Sequence, residues 1–177
     1  LNNAAVAATV ARTRHARVAV IDFDVHHGNG TQHIFYDRDD VFFSSLHSDP
    51  EMTYPFFTGH ADEVGAGRGE GFNLNLPLAI GSGDTAYLSA LDVAIDRIRR
   101  FDAGFLVVSL GLDAHESDLL GSLKVTSEGF VEIARRLASL RLPTVLVQEG
   151  GYTVSQIANV LEPVLSVFRA AADTPQA

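Results

Sequence analysis

The sequence contains no cysteine among its 177 residues. This absence excludes disulfide bonds, thiolate nucleophiles and zinc sites built on cysteine. A metal ion in this protein would have to be held by histidines and carboxylates. The chain offers 7 histidines and 22 acidic residues for that purpose.

Long apolar runs and clusters of basic residues are also missing. No stretch approaches the roughly 18 consecutive apolar residues of a membrane-spanning helix. No group of lysines and arginines interleaved with aromatic residues indicates nucleic-acid binding. The net charge of −9 favours cationic partners over phosphate backbones. We therefore expect a soluble, cytoplasmic protein that binds neither membranes nor nucleic acids.

Apolar and β-branched segments predict four strands separated by helices. With 46% hydrophobic residues, the chain can form one substantial core. Strands that alternate with helices favour an α/β domain with a parallel sheet and helices on both faces. The predicted strands are residues 18–22, 41–46, 105–110 and 144–148, and the predicted helices are residues 85–101, 126–140 and 155–171.

Two segments stand apart from this pattern. Residues 48–84 are rich in glycine and proline and show no clear period, which predicts a long irregular loop that shapes a substrate entrance. The chain opens on LNNAAVAATVARTRHAR, a helix-like segment without an initiator Met and without an evident N-cap. We therefore expect the N-terminal part of the domain to be missing from this sequence.

Polar residues follow each predicted strand at its carboxyl end. In open α/β sheets the ligand crevice lies outside these ends, so the four segments are expected to converge on one edge. They are Asp22, Asp24, His26 and His27 after the first strand, Ser45, His47 and Asp49 after the second, Asp113 and His115 after the third, and Glu149, Gly150, Gly151 and Tyr152 after the fourth.

The segment DFDVHHGNGT after the first strand is the most specific of these motifs. Asp22, Asp24 and His26 alternate, so an extended backbone would direct all three to one side. Two carboxylates crowded together repel each other unless a cation lies between them. Asp113, at the end of an almost wholly apolar strand, is the best candidate for a third ligand. Two aspartates and one histidine leave zinc an open position, as in catalytic sites, although the oxygen-rich set also suits Fe(II) or Mn(II).

Tyr152 follows Glu149-Gly150-Gly151 after the fourth strand. Two glycines allow the backbone to approach the crevice closely, and the phenol would then project into it. A tyrosine hydroxyl next to a metal-bound carbonyl can stabilise the developing oxyanion. Taken alone, a tyrosine at a strand end is more often a core or surface residue; its place beside the other three clusters favours a catalytic role.

The motifs DFDVHHGNGTQ, SSLHSDP, SLGLDAH and QEGGY together resemble the zinc-dependent histone deacetylases of the arginase/deacetylase superfamily. Asn29 resembles the class II members, and the segment that includes Tyr54 and Pro55 is most similar to bacterial acetylpolyamine amidohydrolases. The resemblance covers essentially all residues of the chain and implies the arginase/deacetylase fold. It implies that residues 1–177 are the C-terminal part of a single deacetylase domain.

The resemblance also implies roles for individual residues. It implies Tyr152 as the catalytic electrophilic helper, and one zinc ion per chain with a potassium ion beside it. The family's tandem catalytic histidines would lie upstream, because His26 is implied as a metal ligand and His27 follows on the alternate face. The implied zinc ligands are Asp24, His26 and Asp113, the potassium ligands are Asp22, Asp24, His26, Ser45 and the Leu46 carbonyl, and the substrate-binding residues are Tyr54, Phe56, Phe57 and Gly151.

The function implied by the resemblance is hydrolysis of an N-acetyl amide, with release of acetate and a free amine. Acetylated polyamines or similar small cationic amides are the favoured substrates, given the acidic net charge. A protein acetyl-lysine deacetylase and a catalytically inactive metal-binding module remain alternatives, and a homodimer is left open. A two-manganese arginase-like enzyme is disfavoured, because EGGY and the single carboxylate of Asp113 suit a one-metal site.

Overall fold

Five parallel strands alternate with α-helices along residues 1–173, the part of the chain that the computed structural model describes. In chain order the elements are α1 (Asn3–Ala11), β1 (Val18–Asp22), α2 (Asn29–Phe35), β2 (Val41–Ser48), a short 3-10 turn (Gly67–Gly69), β3 (Asn73–Leu78), α3 (Asp84–Phe101), β4 (Phe105–Leu110), α4 (Ser127–Ala138), β5 (Thr144–Gln148) and α5 (Val154–Ala172).

The strands lie in the order β3-β2-β1-β4-β5, and all neighbouring pairs are parallel. β1 is therefore the central strand, with every one of its residues buried. Its last residue, Asp22, pairs with Ser45 of β2 on one side and with Ser109 of β4 on the other. The carboxyl ends of these three strands meet at one edge of the sheet, as the sequence predicts.

Helices cover both faces of the sheet. Ala19 and Ile21 of β1 belong to a large core cluster that also contains buried residues of α3, α4 and α5. Val18 and Val20 belong to a second cluster with the buried alanines of α1 and with Phe35 of α2. Alternate side chains of one strand thus serve opposite layers, which explains why the strand sequences are apolar throughout. The predicted α/β architecture is confirmed.

The segment from residue 48 to residue 84 contains a strand that the sequence prediction missed. β3 has the sequence NLNLPL, in which asparagine and leucine alternate with the period of a strand. The prediction of one irregular loop was wrong because the glycines around this short run hide its period. β3 forms the edge of the sheet, where Pro77 is tolerated because no further strand needs its missing N–H.

The start of the chain also differs from the prediction. The sequence showed no evident N-cap, but Asn2 is the N-cap of α1, and its side-chain oxygen accepts a hydrogen bond from Ala5 N at 2.7 Å. Its amide nitrogen donates to Thr31 Oγ1 at 2.9 Å and so joins α1 to α2, a helix that the prediction did not include. The asparagine is therefore a cap and a tertiary contact.

Candidate metal centre

The backbone beyond β1 keeps Asp22, Asp24 and His26 in order through local hydrogen bonds. Asp22 Oδ1 accepts from the Asp24 amide at 3.0 Å, and Asp24 Oδ1 accepts from the His26 amide at 2.9 Å. Such bonds from an aspartate to the backbone two residues later stabilise turns. The strand itself ends at Asp22, so these turns replace the extended backbone that the sequence analysis assumed.

Asp24, His26 and Asp113 lie together at the carboxyl edge of the sheet. One possible ligand atom from each residue lies within 4.8 Å of the other two. His26 Nδ1 is 3.2 Å from Asp24 Oδ1 and 3.3 Å from Asp113 Oδ2. The structure therefore brings together the three residues that the sequence analysis selected as zinc ligands.

The donor set fits a divalent cation. The Asp113 side chain is 0% exposed; its Oδ1 accepts from the Val25 amide at 2.8 Å, whereas its Oδ2 has no hydrogen-bond partner among the described residues. A buried carboxylate oxygen without a partner is costly, and a metal ion would satisfy it. The carboxylates of Asp113 and Asp24 raise the pKa of His26 to about 10, a measure of the negative charge concentrated on this point.

Two glycines let the backbone pass close to the carboxylates. The Gly150 amide donates to Asp24 Oδ2 at 2.9 Å, and a Cβ atom at this position would overlap the carboxylate oxygens of Asp24 and Asp113. Gly111 is equally constrained, because a Cβ atom there would overlap the backbone of Asp24. The close approach at Gly150 was expected from the sequence, but the constraint at Gly111 was not. The position of Gly111 between β4 and the ligand Asp113 could have indicated it.

Tyr152 lies near enough to the same carboxylates for their charge to act on its phenol. Burial, together with the charges of Asp24 and Asp113, raises the pKa of its phenol, so that the hydroxyl keeps its proton and can donate a hydrogen bond. The side chain remains 46% exposed. Gly151 precedes it with a φ of 137°, a backbone conformation that favours glycine.

The residues implied as potassium ligands lie next to the cluster. Asp22 is almost fully buried and pairs with Ser45 across β1 and β2, and Leu46 follows in the same strand. Burial and the neighbouring charge of Asp24 raise the pKa of Asp22 well above its usual value. Ser45 Oγ lies 2.8 Å from Nδ1 of His47 and is hydrogen-bonded to it. The role of these residues in binding potassium stays a prediction.

The three aromatic residues implied in substrate binding do not share one position. The Tyr54 ring lies 6.2 Å from the His26 ring in an edge-to-face arrangement. Phe56 and Phe57 are 61% and 74% exposed. The three residues form an exposed aromatic rim, and Tyr54 is the member whose ring lies next to the candidate centre.

His27 and His115 are structural residues in this arrangement. His27 is buried, its Nε2 lies 3.0 Å from Gln32 Oε1, and its ring lies 4.7 Å from the His47 ring at a tilt of 52°. His115 bonds Ser117 and Ser127 through its two ring nitrogens. The structure thus gives His27 contacts of its own, and the expectation that it is not a metal ligand stays a prediction.

A partly buried polar network behind the rim was not predicted from the sequence. Glu63 Oε2 accepts hydrogen bonds from Gln32 Nε2 at 2.6 Å, Thr58 Oγ1 at 2.8 Å and the Gly59 amide at 2.9 Å. Asn75 Nδ2 of β3 adds a longer bond at 3.2 Å. Burial acts to raise the pKa of Glu63, but these hydrogen bonds outweigh it and lower the pKa. The network attaches the rim to α2 and β3.

Comparison with known families shows which family the chain belongs to. The model of the histone deacetylase domain matches residues 1–168. The chain belongs to the histone deacetylase family. In the part of this family member that the structure describes, no helix is both long and apolar enough to cross a membrane.

Individual relatives agree with this assignment. The acetylpolyamine amidohydrolase of Burkholderia pseudomallei is 49% identical over 157 residues, which cover 89% of this chain and 46% of the relative. Acetylpolyamine amidohydrolase 1 of Pseudomonas aeruginosa is 47% identical over 97% of this chain and 50% of the relative. The chain therefore spans about half the length of the curated relatives it matches.

Solved structures show the same fold. The crystal structure of acetylpolyamine aminohydrolase from Burkholderia pseudomallei superposes with a TM-score of 0.94 at 46% identity, covering 97% of this chain and 50% of that one. The HD domain of HDA15 superposes with a TM-score of 0.90 at 38% identity, covering 95% and 50%. The arginase/deacetylase fold expected from the sequence is confirmed.

Proposed function

We propose that the full-length protein is a zinc-dependent amidohydrolase that releases acetate and a free amine from small cationic N-acetyl amides such as acetylated polyamines. The observation that carries the proposal is the meeting of Asp24, His26 and the buried Asp113 carboxylate, whose Oδ2 accepts no hydrogen bond among the described residues, in a member of the histone deacetylase family. Two carboxylates and an imidazole leave a tetrahedral ion one open position for water or substrate.

In this proposal, different residues bind the metal, stabilise the oxyanion and position the backbone. Asp24, His26 and Asp113 would hold the zinc ion, which when bound polarises the acetyl carbonyl and acidifies a water molecule. Tyr152, protonated at neutral pH, donates a hydrogen bond to the oxygen on which negative charge develops. Gly150 keeps the ligand carboxylates and the tyrosine backbone in close contact.

Supporting features of the surroundings extend this proposal. A potassium ion at Asp22, Ser45 and the Leu46 carbonyl would neutralise the buried Asp22, whose environment disfavours the charged form. A cationic substrate agrees with the net charge of −9. It also agrees with the names of the relatives described above, which are acetylpolyamine amidohydrolases.

The test uses the purified full-length protein with acetylputrescine and an acetyl-lysine peptide as competing substrates. We expect one zinc ion per chain by elemental analysis and a higher kcat/KM for acetylputrescine. Preference for the peptide would assign the enzyme to protein deacetylation. Stoichiometric zinc without hydrolysis of either substrate would contradict the proposal and indicate a metal-binding module.

Tyr152→Phe tests the oxyanion role in the same protein. The change removes one hydroxyl and preserves the ring, so zinc content and KM should stay the same while kcat falls roughly 10²–10³-fold. A variant with wild-type kcat would remove Tyr152 from the mechanism.

A further inference from the structure

The loop that follows the ligand Asp113 returns to contact the backbone of Tyr152. Asp118 Oδ2 accepts a hydrogen bond from the Tyr152 amide at 2.7 Å and a second from the Thr153 amide at 3.1 Å. The two contacts join parts of the chain that are 34 and 35 residues apart. One carboxylate oxygen therefore holds the backbone between β5 and α5. We refer to these two hydrogen bonds of Asp118 as the clamp.

This clamp occupies the position of a helix cap. Thr153 is the N-cap residue of α5, but its hydroxyl makes no capping bond to its own helix. The hydroxyl donates instead to the Ser117 carbonyl at 3.0 Å and accepts from the Leu119 amide at 3.1 Å. The start of α5 is thus attached by three residues of one loop, Ser117, Asp118 and Leu119.

The loop is itself attached to the metal centre. The Asp118 amide donates to the His115 carbonyl at 2.9 Å, and Nε2 of His115 lies 3.0 Å from Ser127 Oγ at the start of α4. At the other end of the loop, a Cβ atom on Gly121 would overlap the carbonyl oxygen of Asp113. A displacement of Asp118 relative to Asp113 would therefore break several contacts at once.

We propose that Asp118 is a positioning residue that holds the Tyr152 phenol at the metal centre. The inference rests on the proposed function. Gly150 and Gly151 precede the tyrosine and allow its backbone many conformations, of which the carboxylate selects one. Within residues 1–173, the side chain of Asp118 bonds only backbone amides, those of Tyr152, Thr153 and Leu120, so it acts through Tyr152 and not on the substrate.

The central experiment is Asp118→Ala in the full-length zinc protein, alone and combined with Tyr152→Phe. Misplacement of a catalytic group by about 1 Å can cost about 10²-fold, so we expect kcat to fall by roughly 10- to 100-fold with KM and zinc content unchanged. In the Tyr152→Phe background the same change should cost nothing further, because the group it positions is already lost. Equal losses in both backgrounds would overturn the proposal.

Asp118→Asn should retain most of the kcat that Asp118→Ala loses, because the amide oxygen of asparagine can still accept from the Tyr152 and Thr153 N–H groups. Asp84→Ala is the matched control. The Asp84 carboxylate also bonds the N-cap residue of a helix, accepting from the Thr126 amide at 2.8 Å and the Thr126 hydroxyl at 2.7 Å. Its loss should lower thermal stability without changing kcat. A fall in kcat as large as that of Asp118→Ala would assign both effects to general destabilisation.

Amide hydrogen exchange separates this inference from the proposed function. In Asp118→Ala the Tyr152 and Thr153 amides should exchange at least about 10-fold faster, while Asp84→Ala leaves them unchanged. An inactive wild-type protein would overturn the proposed function, and exchange would still report on the clamp. Unchanged exchange at these two amides would overturn the clamp itself, whatever the activity.

Discussion

The ligand cluster and the aromatic rim lie side by side but are held in different ways. Asp24, His26 and Asp113 follow central strands of the sheet. The carboxylates of the two aspartates bond backbone amides of neighbouring segments. The rim residues, among them Tyr54 and Phe57, belong to an irregular segment between β2 and β3 and are largely exposed.

We infer from this difference that the ligand cluster carries the chemistry and the aromatic rim carries the substrate selectivity. Asp113 is fully buried, and backbone amides bond the carboxylates of both Asp113 and Asp24. The rim depends on Glu63 and its side-chain contacts, a smaller set of interactions near solvent. Changes at the cluster should therefore abolish metal binding and turnover, whereas changes at the rim should alter substrate binding and leave the metal in place.

The largest effect is expected for Asp113→Asn. The change removes the charge of a buried ligand, and even neighbours of metal ligands typically contribute 10- to 100-fold to affinity. We expect zinc affinity to fall more than about 100-fold and turnover to fall further than in Tyr152→Phe, measured by metal titration and initial rates. Asp39→Asn, at an exposed aspartate between α2 and β2, should change neither quantity. Normal zinc binding by Asp113→Asn would contradict the assignment of Asp113 as a zinc ligand.

Gly150→Ala tests the close approach of the backbone to the cluster. The added Cβ would overlap the carboxylates of Asp24 and Asp113 and displace them, so zinc affinity should fall roughly 10- to 100-fold. Gly30→Ala, in α2, is the control. Among the described residues, a Cβ atom at Gly30 would meet only Asn2 Nδ2, at an ordinary contact distance of 3.5 Å. Equal zinc affinity for the two variants would show that the cluster tolerates backbone movement.

Glu63→Ala tests the anchor of the rim. Removing the carboxylate leaves Gln32, Thr58 and the Gly59 amide without their acceptor, which should cost about 1–3 kcal/mol of unfolding free energy. KM should rise while zinc content and stoichiometry stay the same. Glu51→Ala, an exposed glutamate of the same segment, should leave stability unchanged. Loss of zinc in Glu63→Ala would show that rim and cluster are one unit.

The smallest effect is expected for Phe57→Ser. This side chain is 74% exposed, so the free energy of unfolding should change by less than about 0.5 kcal/mol. Any kinetic change should appear in KM, and Tyr54→Ser, next to the His26 ring, should have the larger effect on it. A large loss of kcat in Phe57→Ser would place the outer rim in the catalytic machinery.

The sequence predicted the parts of the fold that depend on local pattern. The apolar strands β1, β2, β4 and β5 and the amphipathic helices α3, α4 and α5 were all identified to within a few residues. β3 was missed although NLNLPL alternates, because its signal is short and lies among turn-forming residues. The capping role of Asn2 was missed because asparagine in a helical segment carries no indication of which side of the boundary it occupies.

The sequence alone determined which chemical groups are available at the metal centre and placed each at the carboxyl end of a strand. That result follows from local pattern, because the alternation of Asp22, Asp24 and His26 and the absence of cysteine need no tertiary information. Only the tertiary structure decided that Asp113 Oδ1 bonds the amide of Val25, 88 residues away, and that its Oδ2 lies 3.3 Å from His26 Nδ1. It also decided that Glu63 holds the rim and that Asp118 clamps Tyr152. Contacts between distant segments depend on how the layers pack, and no local pattern encodes that packing.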